Sequence, residues 1–261
     1  MKYTHSFFDL DGTIYVSGKL LTGVKESLLR LVNSGTKVFY MTNNTSVSIS
    51  QYYKKLQILG LPITDNCVLT PMNALSNWIN STAVSSFYAV ATDEFVEELC
   101  DMTKARVSEK NPEIVIVAFD TELTYAKVQR ACQFINAGVP WYVTHIDLAC
   151  PSDRGPIPDC GAIAKLIEAA TGVAPETDFG KPSDFMAQLI MDKVGCGDNK
   201  LLVSGDRLYT DMAMGIKLGA DTVLVKTGEF FDESELGCWQ GKVVVSDSLS
   251  VFLENYFENN F

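Results

Sequence analysis

Short apolar runs alternate with amphipathic segments along the whole chain. The runs of strand length end at Phe8, Met41, Ala91, Phe119, Thr144, Ser204 and Lys226. Helix-like segments lie between them. In the first, Val24, Leu28, Leu31 and Val32 recur at the spacing of one helical face, and Gly35 ends the pattern. In another, Tyr125, Val128, Cys132 and Ile135 share a face and Gly138 follows. Alternation of strand and helix predicts parallel sheets covered on both sides, an α/β architecture.

Two punctuation marks divide this pattern. Thr70-Pro71 and Phe179-Gly180-Lys181-Pro182 are natural breaks, because proline disfavours helix at the residue before it and Gly-Lys-Pro suits a hinge. The stretch between them, about residues 73–177, is long enough for a domain and has strands of its own at Phe87 to Ala91, Ile114 to Phe119 and Trp141 to Thr144. It reads as an insertion into a discontinuous core formed by residues 1–72 and 178–261.

Composition narrows the class. Hydrophobic residues make up 47% of the 261 and charged residues 20%, the balance of a globular chain. The net charge of −11 disfavours a nucleic-acid polymer as partner, since no basic stripe is present to meet a phosphate backbone. A small phosphorylated metabolite stays compatible, because a few local cations suffice for it. The longest apolar run, Ile114 to Phe119, falls far short of the roughly 20 residues of a membrane span. The first residues carry no apolar signal core. Seven scattered cysteines without a C-x-x-C pair, beside only two histidines, suggest reduced thiols in a cytoplasmic protein rather than a zinc site.

The chemistry-bearing residues sit at strand ends. Asp9-Leu10-Asp11-Gly12-Thr13 follows the apolar Phe7-Phe8, so two carboxylates at i and i+2 point into one crevice and the glycine allows a sharp turn. Paired carboxylates are costly in a core and well suited to holding a hard cation beside an oxygen nucleophile. A second apolar strand ends in Thr42-Asn43-Asn44, whose hydroxyl and amides can donate to phosphate oxygens; alone, such a string is an ordinary loop. Lys181 is alone a surface charge, or else a point charge for a phosphoryl group. Leu201 to Ser204 leads into Gly205-Asp206, and Asp211 follows at a helix start, where it could simply serve the helix N-terminus. Asp9 and Asp206 would then share the carboxyl edge of one parallel sheet, where open α/β sheets bind ligands. Carboxylates converging there need a cation, and all-oxygen ligation suits Mg²⁺.

In this order the four features resemble the motifs of the haloacid dehalogenase-like superfamily: D-x-D-G-T, a strand ending in T-N, a lysine, and G-D-x-x-x-x-D. Thr42 to Ser46, Gly161-Ala162-Ile163, Ala169 to Gly172, Gly180-Lys181-Pro182 and Gly205 to Asp211 resemble one branch, the p-nitrophenylphosphatase/NagD-like phosphatases. About 28 residues separate Thr13 from Thr42, room for one helix and a flap around Tyr15 to Gly18, so the insertion falls in the second gap, as in the branch with a larger α/β cap. The resemblance implies a Rossmann-like, doubly wound core with an inserted α/β cap.

It also implies a phosphatase of small phosphomonoesters. Asp9 would attack phosphorus and form an aspartyl-phosphate, and Asp11 would protonate the leaving alcohol and then activate water. Mg²⁺ would be held by Asp9, Asp206 and the backbone carbonyl of Asp11, with Asp211 in support. Gly12, Thr13, Thr42, Asn43, Asn44 and Lys181 would line the phosphoryl site. In the cap, Thr144-His145-Ile146-Asp147 matches the family's Asn-x-Asp string with His145 in place of asparagine, and Pro158-Asp159 departs from Pro-Gly. His145 and Asp147 are the expected substrate contacts of the cap, which in this branch can also present a homodimer surface. Two alternatives stay open: phosphotransfer to another acceptor, as in a mutase, and a non-catalytic phosphate sensor.

Overall fold

The computed structural model describes residues 2–152, 154–229, 233–239 and 241–260. The chain forms two compact units. The first comprises Met1–Thr42, Tyr52–Leu69 and Ala187–Phe261, the second Asn43–Gln51 and Thr70–Met186.

The first unit is built on a six-stranded sheet in the order Val243–Ser246, Asp221–Val225, Leu201–Gly205, His5–Asp9, Lys37–Met41, Val68–Leu69. Every pairing in it is parallel. His5–Asp9 is fully buried along its length, as a strand covered on both faces must be. From it the chain winds to one side through Lys37–Met41 and Val68–Leu69, and later to the other through Leu201–Gly205 and Asp221–Val225. The strand order therefore reverses between His5–Asp9 and Leu201–Gly205. Ligands of open α/β sheets bind at the carboxyl ends of the strands flanking such a reversal.

The second unit has its own parallel sheet, in the order Arg106–Val107, Ser86–Val90, Ile114–Val117, Trp141–Val143. Helices Tyr125–Asn136 and Cys160–Thr171 cover one face, burying Val128, Phe134, Ile163 and Ile167 against Val115, Val117 and Trp141. Thr124 caps the first of these helices by accepting from the Lys127 amide at 3.2 Å. Pro71 opens helix Pro71–Ser81, where Thr70 and Asn73 form a capping box. A short antiparallel hairpin pairs Ala149–Cys150 with Ile157–Pro158.

All seven expected strands are present, each ending within two residues of the expected position. Two expected core positions are not core. Val32 is 37% exposed and Tyr125, the first residue of its helix, is 82% exposed. Both fit the helical period, but the period does not say how far the neighbouring layer extends. The edge strands Val68–Leu69 and Arg106–Val107 are too short to show any period. The cysteines 67, 100, 132, 150, 160 and 196 are free thiols, and the Cys238 side chain lies outside the described residues. Burial pushes the Cys160 thiol up to about 12. Among the described residues no helix is long and apolar enough to cross a membrane.

Candidate active site

In the first unit the opening motif ends the central strand. Asp9 pairs with Met41 at the carboxyl end of its neighbour, while Phe8 lies opposite Ser204, two residues before Asp206. The parallel register thus brings together residues almost 200 positions apart. Oxygens of Asp9, Asp206 and Asp211 lie within 4.8 Å of one another, and all three residues are buried. The donors of this cluster are all carboxylate oxygens. Hard oxygen donors, buried at a sheet's reversal point, fit a hard divalent cation.

The surrounding backbone is shaped to this cluster. Asp206 Oδ2 accepts from the Glu229 amide at 2.7 Å. Gly12 and Gly228 press so closely on the Asp206 carboxylate that a Cβ at either would collide with it, and Gly12 also has a φ of +95°. Thr227 Oγ1 donates to the Gly12 carbonyl at 2.5 Å, tying the two loops. Asp211 lies on a wide π-helical turn, Leu208–Met212, and its Oδ2 accepts from the Arg207 amide at 3.2 Å. Arg207 is held in turn by Glu229 at 2.8 Å. Replacing Gly12 by alanine is expected to destabilise the protein by about 1–3 kcal/mol, because both the positive φ and the space forbid a side chain. A denaturant melt checks this; an unchanged midpoint would refute the packing.

Asp11 stands apart from the three-carboxylate cluster. Its Oδ2 accepts from the Tyr15 hydroxyl at 3.4 Å, and Gly12 N donates to the Tyr15 carbonyl at 2.8 Å. Burial, with help from the Asp11 charge, pushes the Tyr15 hydroxyl far up, so it remains a donor. Lys55 Nζ lies 3.5 Å from the centre of the Tyr15 ring. Desolvation holds that lysine below its ordinary range, against the opposing pull of Asp11. Thr13 is fully buried, and its hydroxyl has no hydrogen-bond partner among the described residues. Thr42 is buried at the end of its strand and donates its amide to the Leu69 carbonyl at 3.1 Å.

The second unit carries the remaining candidates. Asn43 and Lys181 clamp one another through the backbone: Lys181 N donates to Asn43 Oδ1 at 2.7 Å, and Asn43 Nδ2 donates to the Lys181 carbonyl at 3.1 Å. The approach needs Gly180, since a Cβ there would lie 2.8 Å from Asn43 Oδ1 and 2.5 Å from His145 Cβ. Lys181 itself is 2% exposed, so it is not an ordinary surface lysine. Asn44 Oδ1 accepts from the amide and hydroxyl of Ser46 at 2.9 and 2.7 Å, which folds the loop on itself. Thr45 then anchors it, accepting from Phe119 N at 3.1 Å and meeting Thr144 Oγ1 at 3.1 Å. His145 and Asp147 are both buried and form a second cluster with Asp159.

Several participants escape sequence inspection. Asp159 has a local signal, an Asp before an apolar helix, but its contact with His145 does not. Gly228 and Glu229 lie on a loop with no motif at all, Tyr15 reads only as part of a flap, and Lys55 belongs to no motif.

Comparison with known proteins agrees with this geometry. A profile described as haloacid dehalogenase-like hydrolase matches residues 6–103, and a related HAD-hydrolase-like profile matches residues 178–250. A solved structure, 4-nitrophenylphosphatase from Thermotoga maritima, is 30% identical with a TM-score of 0.88 and 97% of each chain covered. The chain belongs to the haloacid dehalogenase-like hydrolases. Within that family it lies in the NagD-like branch, since a putative NagD protein also matches at 29% identity and a TM-score of 0.88, over 97% of this chain and 98% of the other. Among curated relatives, the 5'-nucleotidase YutF of Bacillus subtilis is 29% identical over 87% of this hydrolase and 88% of its own length.

Proposed function

We propose that this hydrolase is a Mg²⁺-dependent phosphatase of small phosphomonoesters, working through an aspartyl-phosphate on Asp9. The observation that carries the reading is the buried cluster of Asp9, Asp206 and Asp211 at the reversal of the parallel sheet, with a further carboxyl, Asp11, two residues beyond Asp9. The similarity to a 4-nitrophenylphosphatase and a 5'-nucleotidase supports the substrate class. Free thiols at the described cysteines suit a reducing, cytoplasmic setting.

Asp9 would supply the attacking oxygen, forming an O–P bond as the ester O–P bond breaks. Asp11, half-buried and held by Tyr15, would give its proton to the leaving alcohol oxygen and then take one from the water that opens the acyl-phosphate. A bound divalent cation, held by Asp9, Asp206 and the Asp11 carbonyl with Asp211 beside them, would offset negative charge between nucleophile and phosphoryl group. Thr42, Asn43 and Lys181 would stabilise charge on the transferring oxygens, and the turn at Gly12 and Thr13 would line the phosphoryl site.

We assign residues 1–72 and 178–261 to the catalytic core and 73–177 to a cap that selects the leaving group. The compact units differ from this assignment at 43–51, 70–72 and 178–186. Hydrogen bonds from Asn43 to Asp147 and Lys181, and from Phe119 to Thr45, tie the start of 43–51 to residues of the second unit.

The test is inorganic phosphate release from a panel of p-nitrophenyl phosphate, sugar phosphates and nucleoside monophosphates with Mg²⁺. No turnover of any of them would refute the reading. An added alcohol that yields a new phosphoester faster than phosphate is released would make the protein a phosphotransferase instead. Asp11→Asn is expected to lower kcat by roughly 10²–10⁴-fold for alkyl phosphates and by less for p-nitrophenyl phosphate, whose leaving group needs no proton. Equal losses for both would remove Asp11 from the acid role.

A further inference from the structure

Outside the acidic cluster of the first unit, the second unit buries an unusual trio. His145 has no exposed surface, and Asp147 and Asp159 are 4% and 3% exposed. The imidazole lies between the two carboxylates: Nδ1 is 3.5 Å from Asp147 Oδ2 and Nε2 is 3.4 Å from Asp159 Oδ1. Two buried carboxylates on one small ring are costly unless a cation lies between them. Neither ring nitrogen makes a hydrogen bond among the described residues, so the ring meets the two carboxylates as a close polar contact wedged between them.

Both carboxylates are committed elsewhere as well. Asp159 Oδ1 accepts from Cys160 N at 2.6 Å and so caps helix Cys160–Thr171. Asp147 Oδ2 accepts from Asn43 Nδ2 at 3.2 Å, and the same amide group grips the Lys181 backbone from both sides. The Asp147 carbonyl accepts from Gly161 N at 2.8 Å, on the first turn of that helix. A continuous path therefore runs from the helix start through Asp159, His145 and Asp147 to Asn43 and Lys181.

We propose that His145 is a positioning residue, a clasp between two buried carboxylates that fixes Asp147 on Asn43 and thereby holds Lys181 in place, rather than a group that touches substrate. The proposal deepens the phosphatase reading and rests on it, because Lys181 matters to the rate only if it acts on the transferring phosphoryl group. Both ring nitrogens of His145 face carboxylates, so no polar atom of the ring is left for a leaving group, whereas Lys181 would act on the phosphoryl group common to every substrate.

The two roles separate in kinetics. H145Q is expected to lower kcat/KM by the same factor, roughly ten- to a hundredfold, for p-nitrophenyl phosphate, a sugar phosphate and a nucleoside monophosphate. A loss that differs widely among the three, or no loss, would overturn the proposal. A second readout does not depend on activity. The Lys181 amide donates to Asn43 Oδ1, so its hydrogen exchange should quicken in H145Q, and unchanged exchange would overturn the clasp. If the wild-type protein hydrolyses none of the panel, the phosphatase reading fails while the exchange measurement still decides the clasp. Should H145Q not fold, D159N carries the test. Asparagine keeps the helix cap and removes only the charge facing Nε2, so the same uniform loss, smaller in size, and faster Lys181 exchange are expected.

Discussion

Asp9→Asn is expected to abolish phosphomonoester turnover, by roughly 10⁴-fold or more, while leaving the fold intact. Loss of a group that forms the covalent bond removes the step itself, and such losses are among the largest seen in enzymes. The fold should survive because the substitution lightens an electrostatic load. Asp9, Asp206 and Asp211 crowd three buried carboxylates within 4.8 Å. Like charges at that range repel by about 3 kcal/mol per ionised pair at an effective dielectric of 20. Relief of even ~1 kcal/mol of this raises the metal-free melting midpoint by about 2–4 °C. The paired outcome is specific: activity gone, metal-free Tm equal or higher. Retained turnover would refute the nucleophile, and a collapsed Tm would show that Asp9 is needed for folding.

The second large effect concerns the cation. Chelation should remove activity, and Mg²⁺ should restore it where an equal ionic strength of Na⁺ does not. The same cluster should register binding without any substrate. A ligand at a hundred times its Kd stabilises the folded state by about 2.7 kcal/mol, which corresponds to about 5–10 °C in Tm. Asp206→Asn should erase that shift, because its carboxylate lies against Gly12 and Gly228 with no freedom to be replaced by a neighbour. A Mg²⁺-induced shift that persists in Asp206→Asn would move the metal site elsewhere.

How much of this was legible in sequence depends on the range of the interaction. The central strand His5–Asp9 and its partner Leu201–Gly205 are visible as apolar runs ending in aspartates, because burial on both faces leaves a continuous apolar signature. Lys181 was legible only as one of several motifs in order. Alone it reads as a solvated lysine, and nothing local announces that it is buried and clamped by Asn43. Asp211 carried an ordinary local explanation, service at a helix start, which it fulfils by accepting from the Arg207 amide; its carboxylate also stands with Asp9 and Asp206. His145 and Asp159 are 14 positions apart and share no period, so their contact had no local signal.

The chain's own order of residues determined the α/β class, the strand-end placement of Asp9, Asp11, Thr42 and Asp206, and, through the resemblance of its motifs, the family. These are short-range properties: a strand of five residues and the turn after it specify which side chains emerge together at its end. Tertiary structure alone decided which strand ends are neighbours, and hence that three carboxylates meet at the reversal between His5–Asp9 and Leu201–Gly205. It alone decided that Gly228 and Glu229 close on Asp206 and that His145 lies between two acids. Strand pairing and side-chain burial join residues more than 100 positions apart, and the cost of a buried charge is set by those distant partners rather than by its neighbours in the chain.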